Sequence, residues 1–398
     1  MKSVSIYTEE MDDLEAGVQE LSEKLQAKLK LLKNSCGLLF CDKDTDLEEL
    51  MPYLKKTFAF PIMGCTSLAM LTREEGYRVS GLAMLVLTAD DCEFSLAITE
   101  TLSDENREQQ IKEVYKQATS QLGEKEKVII MYASKPIRTG GDEYVTLLDK
   151  VSCGVPVFGA LASDTFSFSD YKVFLNDRIE HMGMVILLIS GNINPIYRME
   201  YSLDHMAEFS AIITEAQGCK IVSLDNMPFT EALKKAGLES QMENTEIVIM
   251  EFIGTPFMVD EKMEDGITIS KMRNLTSLDY EKGTGYFLGN MQQGAMLRIG
   301  LMKKEDVQLS VKEAFSKLLE EIAASEHDYH TLLCSSCGSR YLILATEPDA
   351  EAKAFQGVLP EDMSLTGFYS FGEICPFKGD NGKLYNSFNN DTFTIMAL

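Results

Sequence analysis

One succession of elements returns three times along this 398-residue chain, and it narrows the possible folds more than any other feature. Each time a long amphipathic stretch leads to a short apolar run, a shorter amphipathic stretch, a second apolar run and a break at glycine. In the first passage Met11, Leu14, Val18, Leu21, Leu25, Leu29 and Leu32 follow the three-and-four spacing of one buried helix face. The run over 36–41 reads as a strand covered on both sides. A helix over 47–58 follows, then a strand over 60–63 that breaks at Gly64-Cys65-Thr66-Ser67. The second passage has a helix over 103–122, a strand over 128–133, a helix over 142–151 and a strand over 155–158 that breaks at Gly159, just before Ser163 and Asp164. The third opens with a helix over 305–324, whose apolar side is Val307, Val311, Phe315, Leu318 and Ile322. Its first strand breaks at Cys337-Gly338-Ser339-Arg340, a helix spans 349–356, and its second strand breaks at Gly367-Phe368-Tyr369-Ser370-Phe371-Gly372-Glu373. Identity between the passages is low, so what repeats is architecture. The implied class is α/β of a mixed α+β kind: helix–strand–helix–strand units on largely mixed sheets, with antiparallel hairpins between them.

The text between the passages reads as β. Strands over 79–87 and 93–99 flank the turn signal Ala89-Asp90-Asp91, and runs over 171–175, 182–189 and 195–201 suggest a meander. Further strand signals fall at 211–214, 220–223, 247–252, 266–269 and 295–301, with one short helix over 230–236. Residues 203–208 carry the weakest pattern, which places a boundary between domains at 1–203 and 204–398. Each is long enough for its own core.

A net charge of −25 repels nucleic-acid phosphates and anionic lipid, so neither is expected as a partner. The longest apolar runs, such as 182–189, are far short of a membrane span, and the N-terminus lacks the basic flank and apolar core of a secretory signal. A cytoplasmic location is the expectation. Nine cysteines, an odd number mostly embedded in apolar runs, read as reduced core thiols.

The third passage carries a resemblance. An apolar strand ending in C-G-x-R at Cys337 to Arg340, followed by G-F-Y-x-x-G-E-I-x-P from Gly367 to Pro376, resembles the C-terminal part of the FIST family. The closing NNDTFTIMAL, with Asn390 and Thr392, is similar to the polar step on which that family ends. The resemblance implies a prokaryotic intracellular sensory protein, with a FIST N-terminal region followed by a FIST C-terminal region, that binds a small ligand and signals through a separate effector in trans. A homodimer stays open. One departure stands out: after Gly64-Cys65-Thr66 the family continues with small residues and a Glu, whereas Leu68-Ala69-Met70 here makes the first turn more apolar.

Loops beyond the carboxyl ends of strands are where ligands collect in open α/β sheets. The three glycine turns offer Cys65, Thr66 and Ser67, then Asp164, then Cys337, Arg340, Tyr369 and Glu373 as candidate ligand-binding residues. Such a set suits an amphoteric, amino-acid-like molecule, with Arg340 clamping a carboxylate and Arg340 and Glu373 facing one cleft. No nucleophile–base pair or phosphate-binding loop is present, so no catalytic residue is expected. The alternative is a thiol-dependent enzyme using Cys337, because Cys334-Ser-Ser-Cys337 has the spacing of a redox pair. No metal or other cofactor is expected. Some FIST proteins resemble haem-binding nitric-oxide sensors, and haem here would need His181 or His205 as axial ligand. His327 and His330 are adequately explained as cationic residues after a helix.

Overall fold

A computed structural model describes the chain apart from residues 135–139, 202, 204, 239–248, 264 and 380 and the side chains of 205 and 207. The three passages form three units of one topology. Unit one comprises the helix Leu14–Lys28, the strand Asn34–Asp42, the helix Leu47–Thr57 and the strand Ile62–Ser67. Unit two runs Arg107–Thr119, Glu126–Ala133, Asp142–Ser152 and Val157–Leu161. Unit three runs Lys304–Ala323, Thr331–Cys337, two short helices Gly338–Leu344 and Ala350–Gln356, and Ser364–Ser370. In every unit the two strands pair in parallel, which a hairpin cannot do and the intervening helices make possible. Helix starts follow local chemistry: Asp13 and Asp46 accept the N–H groups of Ala16 and Glu49, closing the first turns of the two helices in unit one. The first helix is shorter than its apolar spacing predicts. Leu29 turns extended and the Leu32 N–H is drawn to the Thr88 hydroxyl.

Each first strand takes a later antiparallel strand on its other edge, namely Leu82–Ala89, Met184–Gly191 and Phe393–Ala397. Beyond these lie Lys2–Thr8, Cys92–Ile98 and Ile196–Glu200, the strands that precede the units. The sixth-strand edge is completed by exchange. The hairpin after unit one (Met70–Thr72 and Gly76–Arg78) pairs with unit three. The hairpin after unit two (Val173–Leu175 and Arg178–Glu180) pairs with unit one. The hairpin after unit three (Glu373–Lys378 and Leu384–Asn389) pairs with unit two. The three six-stranded sheets are thereby joined in a closed cycle.

Backbone hydrogen bonds repeat around that cycle. The N–H groups of Thr66, Leu161 and Tyr369 donate to the carbonyls of Lys172, Gly372 and Ala69, at 3.0, 2.9 and 2.9 Å. A second ring follows: Ser163 N–H donates to Thr66 C=O (3.1 Å) and Phe371 N–H to Leu161 C=O (3.3 Å). Its third member is relayed, because the Ser163 hydroxyl accepts from Leu68 N–H (2.8 Å) and donates to Tyr369 C=O (2.5 Å). Where the sheets meet, the rings of Phe40, Tyr132 and Phe368 pack with centroids 4.6 to 5.5 Å apart. Small residues opposite them in register, Cys65, Ala160 and Ser335, leave room for those rings. Gly64, Gly159 and Gly367 share one cause: a Cβ at any of them would collide with the carbonyl oxygen of the parallel neighbour, Leu39, Met131 or Cys334.

The strand-rich stretch 205–301 is an insertion within the third repeat, lying between its leading strand Ile196–Glu200 and its helix Lys304–Ala323. It forms an eight-stranded sheet with its own core around Phe229, Phe257 and Phe287. Of residues 203–208, expected to be the least regular, 204 lies outside the described residues and 205–208 open the long strand His205–Gln217, which pairs with Met296–Leu301. The expected strand over 247–252 lies partly outside the described residues, and 249–252 form a turn with Ile249 and Phe252 buried. The fold is therefore mixed α/β with mixed and antiparallel sheets, as the periodicities imply. Among the described residues no helix is long and apolar enough to cross a membrane.

Candidate ligand-binding site

The stretches expected to turn at Gly64, Gly159 and Gly367 continue as strands, because the parallel neighbour closes over each glycine, and where they converge most of what they bring together is structural. Cys65, Thr66 and Ser67 are buried in the strand Ile62–Ser67. The Thr66 hydroxyl accepts from Lys172 N–H (2.9 Å), the Ser67 hydroxyl donates to Cys41 C=O (3.3 Å), and Cys65 lies in the core. Asp164 is buried and organises the loop after it. Its carboxylate accepts from the Ser167 hydroxyl and from the N–H groups of Phe168, Ser169 and Asp170. Burial alone would push its pKa up, but these hydrogen bonds outweigh burial and hold it below its ordinary value.

Arg340 departs from the expectation of a cleft-facing clamp. Gly338 opens a helix after the strand instead of a loop, and Arg340 points from that helix into the protein with no exposure. Its Nη2 lies 2.6 Å and its Nε 2.9 Å from Glu351 Oε1, and it also donates to the Ser336 and Ser310 hydroxyls and to Val307 C=O. Glu351 is equally buried. The guanidinium is thus engaged internally, and its carboxylate partner is Glu351, not Glu373 or a ligand. Tyr369, also fully buried, sits beside this pair. Burial, and then the neighbouring Glu351 carboxylate, push its hydroxyl well above the ordinary phenol range.

The remaining polar groups gather beyond the carboxyl ends of the parallel pair in unit three. Cys337 ends one strand and Ser370 the other, while Glu373 opens the next strand and Asp391-Thr392 precede the last. Glu373 is fully buried. One carboxyl oxygen accepts from the Ser370 hydroxyl (2.6 Å), the other from the Thr392 hydroxyl (2.8 Å) and N–H (3.3 Å). Burial nevertheless prevails over these bonds, with the Asp391 carboxylate adding to it, and the pKa rises to about 8. Asp391 sits in the left-handed region at φ 56° and is 2% exposed. Its Oδ1 accepts from the Ser339 hydroxyl and from Asn274 Nδ2 (3.2 Å), while its Oδ2 has no partner among the described residues. Burial raises its pKa as well.

Ser339 and Asn274 also line a narrow slot. Its walls are Phe166 and Phe168 from the loop after unit two, Ile249, Ile253 and Leu288 from the inserted sheet, and Cys337, Leu342 and Phe371 from unit three. Three separated parts of the chain thus meet at this slot, and its lining residues Ser339 and Asn274 bind Asp391 while Ser370 binds Glu373. The free space is about 10 Å³, the threshold for one water molecule.

Two family models match the chain in tandem, the FIST N domain over residues 35–227 and the FIST C domain over 232–376. The chain belongs to the FIST family. FIST domains are sensory domains of signal transduction. No curated protein matches the chain. The junction of the two FIST models falls inside the inserted sheet, where the strands His205–Gln217 and Met296–Leu301 pair across it. All the residues that line the slot lie within the C-terminal FIST match but for Phe166 and Phe168.

In this FIST chain the Cys334-Ser-Ser-Cys337 spacing does not make a reactive pair. Both thiols are buried and reduced, and burial pushes both pKa values up, with the Glu373 and Asp391 carboxylates adding at Cys337. A neutral thiol lacks the nucleophile that thiol catalysis needs. His181 is exposed, with Nδ1 4.0 Å from Asp170, and the His205 side chain lies outside the described residues. Asp391 was visible only as part of the terminal Asn390–Thr392 step. Phe166 and Phe168 carried a faint signal, an alternation of aromatic and polar residues after Asp164. Glu351 carried none, because a lone Glu on a short helix reads as a solvated charge.

Proposed function

We propose that this FIST protein is an intracellular sensor that takes a small ligand in the slot beyond the carboxyl ends of the third parallel pair and signals through a separate effector protein. The observation that carries this reading is a slot walled by three parts of the chain, whose lining residues Ser339 and Asn274 hold Asp391, a buried carboxyl with one oxygen unpartnered among the described residues. An unpaired buried acceptor costs about 1–3 kcal/mol, and a ligand donating to it recovers that cost. Occupancy at such a junction would change how the inserted sheet, the loop after unit two and unit three sit together, which an effector can read.

Native mass spectrometry of protein purified from its source cells, beside a thermal-shift screen with a metabolite panel, tests this. Asp391→Asn keeps the shape and an acceptor for Ser339 and Asn274 but turns the free acceptor into a donor. A ligand that is bound by the wild type and lost from Asp391→Asn supports the proposal. Equal binding by both proteins, or binding by neither, removes it.

A further inference from the structure

We infer that the Glu373 carboxyl is a proton-operated clasp at the root of the hairpin that joins unit three to unit two, which gives the protein pH as an input separate from any ligand of the slot.

The three exchanged hairpins begin at equivalent places. The carbonyls of Ala69, Lys172 and Gly372 accept the first ring of backbone hydrogen bonds, from Tyr369, Thr66 and Leu161. The residues that follow them, Met70, Val173 and Glu373, open the hairpin strands. All three side chains are fully buried. Two are apolar, as burial without a counter-charge favours. Met and Val fill the position in two of the three places, so packing does not require a carboxyl in the third.

The bonds of that carboxyl give it a different task. It accepts from the Ser370 hydroxyl (2.6 Å), before the hairpin, and from the Thr392 hydroxyl (2.8 Å) and N–H (3.3 Å), after it. One side chain thus ties the entry of the hairpin to its exit, and the chain turns at both ends, at Gly372 with φ 147° and at Asp391 with φ 56°. A protonated carboxyl keeps the same partners by donating to one of the two hydroxyls. Its register partners on the hairpin and on unit two, Asn389 and Ala160, carry no charge. The titratable groups facing it are Asp391 on the exit turn and the neutral thiol of Cys337 on the neighbouring strand. Arg340, on the helix after that strand, lies 3.5 Å from the Asp391 carbonyl, and its strong bonds go to Glu351. Among the described residues no cation pairs with Glu373, so its ionised form must be held by neutral donors alone. With a pKa of about 8, the closed clasp holds a proton at neutral pH. An open clasp, with the carboxyl in water, releases that proton at the ordinary Glu value of about 4.3. Opening therefore becomes easier as pH rises between these two values, by up to about tenfold per unit.

Hydrogen exchange of the full chain without added ligand, read by mass spectrometry at about pH 6 and 7 and corrected for the intrinsic pH dependence of exchange, tests this. In the wild type, opening of peptides covering 370–375 and 389–393 should rise by up to about tenfold over that unit, while the strand Leu82–Ala89 keeps constant protection. Glu373→Gln copies the protonated acid, and Glu373→Met copies the residue that opens the hairpin after unit one. Each should show equal opening at both pH values, and either one suffices if the other does not fold. The comparison of peptides within the wild type stands without them. A wild-type rise at the hairpin root below about twofold, an equal rise in Leu82–Ala89, or the same rise in a folded variant without the carboxyl overturns the inference. None of these outcomes bears on the slot, whose ligand is tested separately.

Discussion

Arg340→Gln is the sharpest single perturbation, because the guanidinium has no exposure and makes close bonds on every side. Removing it takes the Nε and Nη2 partners, at 2.9 and 2.6 Å, from Glu351 Oε1. It also withdraws donors from Ser336, Ser310 and Val307. Glu351 Oε2 already has no hydrogen-bond partner among the described residues, so the carboxylate would be left almost bare. An exposed ion pair is worth about 0–1 kcal/mol, whereas breaking a buried one from one side costs about 3–5 kcal/mol. Domains have only about 5–15 kcal/mol to lose, so the variant should unfold at markedly lower urea. Replacing both partners, as Arg340→Met with Glu351→Leu, removes both charges and should recover most of the stability. Urea unfolding followed by circular dichroism at pH 7 measures all three proteins. A loss below about 1 kcal/mol for Arg340→Gln, or a double variant as unstable as the single one, would refute the reasoning.

Ser163→Ala should cost about 1–3 kcal/mol, because its hydroxyl is the relay that closes the second ring of hydrogen bonds between Leu68 and Tyr369. Ser169→Ala, in the neighbouring loop, should stay within about 0.5 kcal/mol, and equal effects would contradict the relay. Glu373 has a folded pKa of about 8, raised above its unfolded value, so the native state holds a proton that the unfolded state has released. Stability is therefore greatest below the unfolded pKa and falls as pH rises toward 8, by at most about 1.4 kcal/mol per unit. Glu373→Gln, which mimics the protonated acid, should flatten that slope in guanidinium titrations between pH 5 and 8, and an unchanged slope would argue against it. With Ellman's reagent the exposed Cys153 should react quickly in the native protein, while Cys334 and Cys337 should react only on unfolding. Rapid native labelling of Cys337, located by peptide mapping, would restore the thiol-enzyme alternative.

What the sequence by itself determined is local. Apolar spacing along Leu14 to Leu25 and along Val307 to Leu318, and the runs at 36–41, 128–133 and 332–337, name three helix–strand–helix–strand units, since periodicity depends only on neighbours along the chain. The glycines at 64, 159 and 367 read locally as strand ends, yet they lie within the strands Ile62–Ser67, Val157–Leu161 and Ser364–Ser370, where the parallel neighbour leaves no room for a Cβ. The cyclic exchange of hairpins was not legible. Met70, Val173 and Glu373 each pair with a unit distant in sequence, and pairing of that kind is decided by packing against a shared core. The fate of charges was equally hidden. Arg340 and Glu373 look alike in the sequence as polar residues beside glycine. One is fixed to Glu351 by a helix that begins a residue after the strand, and the other is carried to Thr392 by a strand that crosses to another sheet. Which carboxylate keeps a free oxygen depends on how many donors the fold brings within reach, and only the tertiary structure counts them. It leaves Asp391 with one oxygen unpartnered among the described residues, at a turn held by Ser339 of unit three and Asn274 of the inserted sheet.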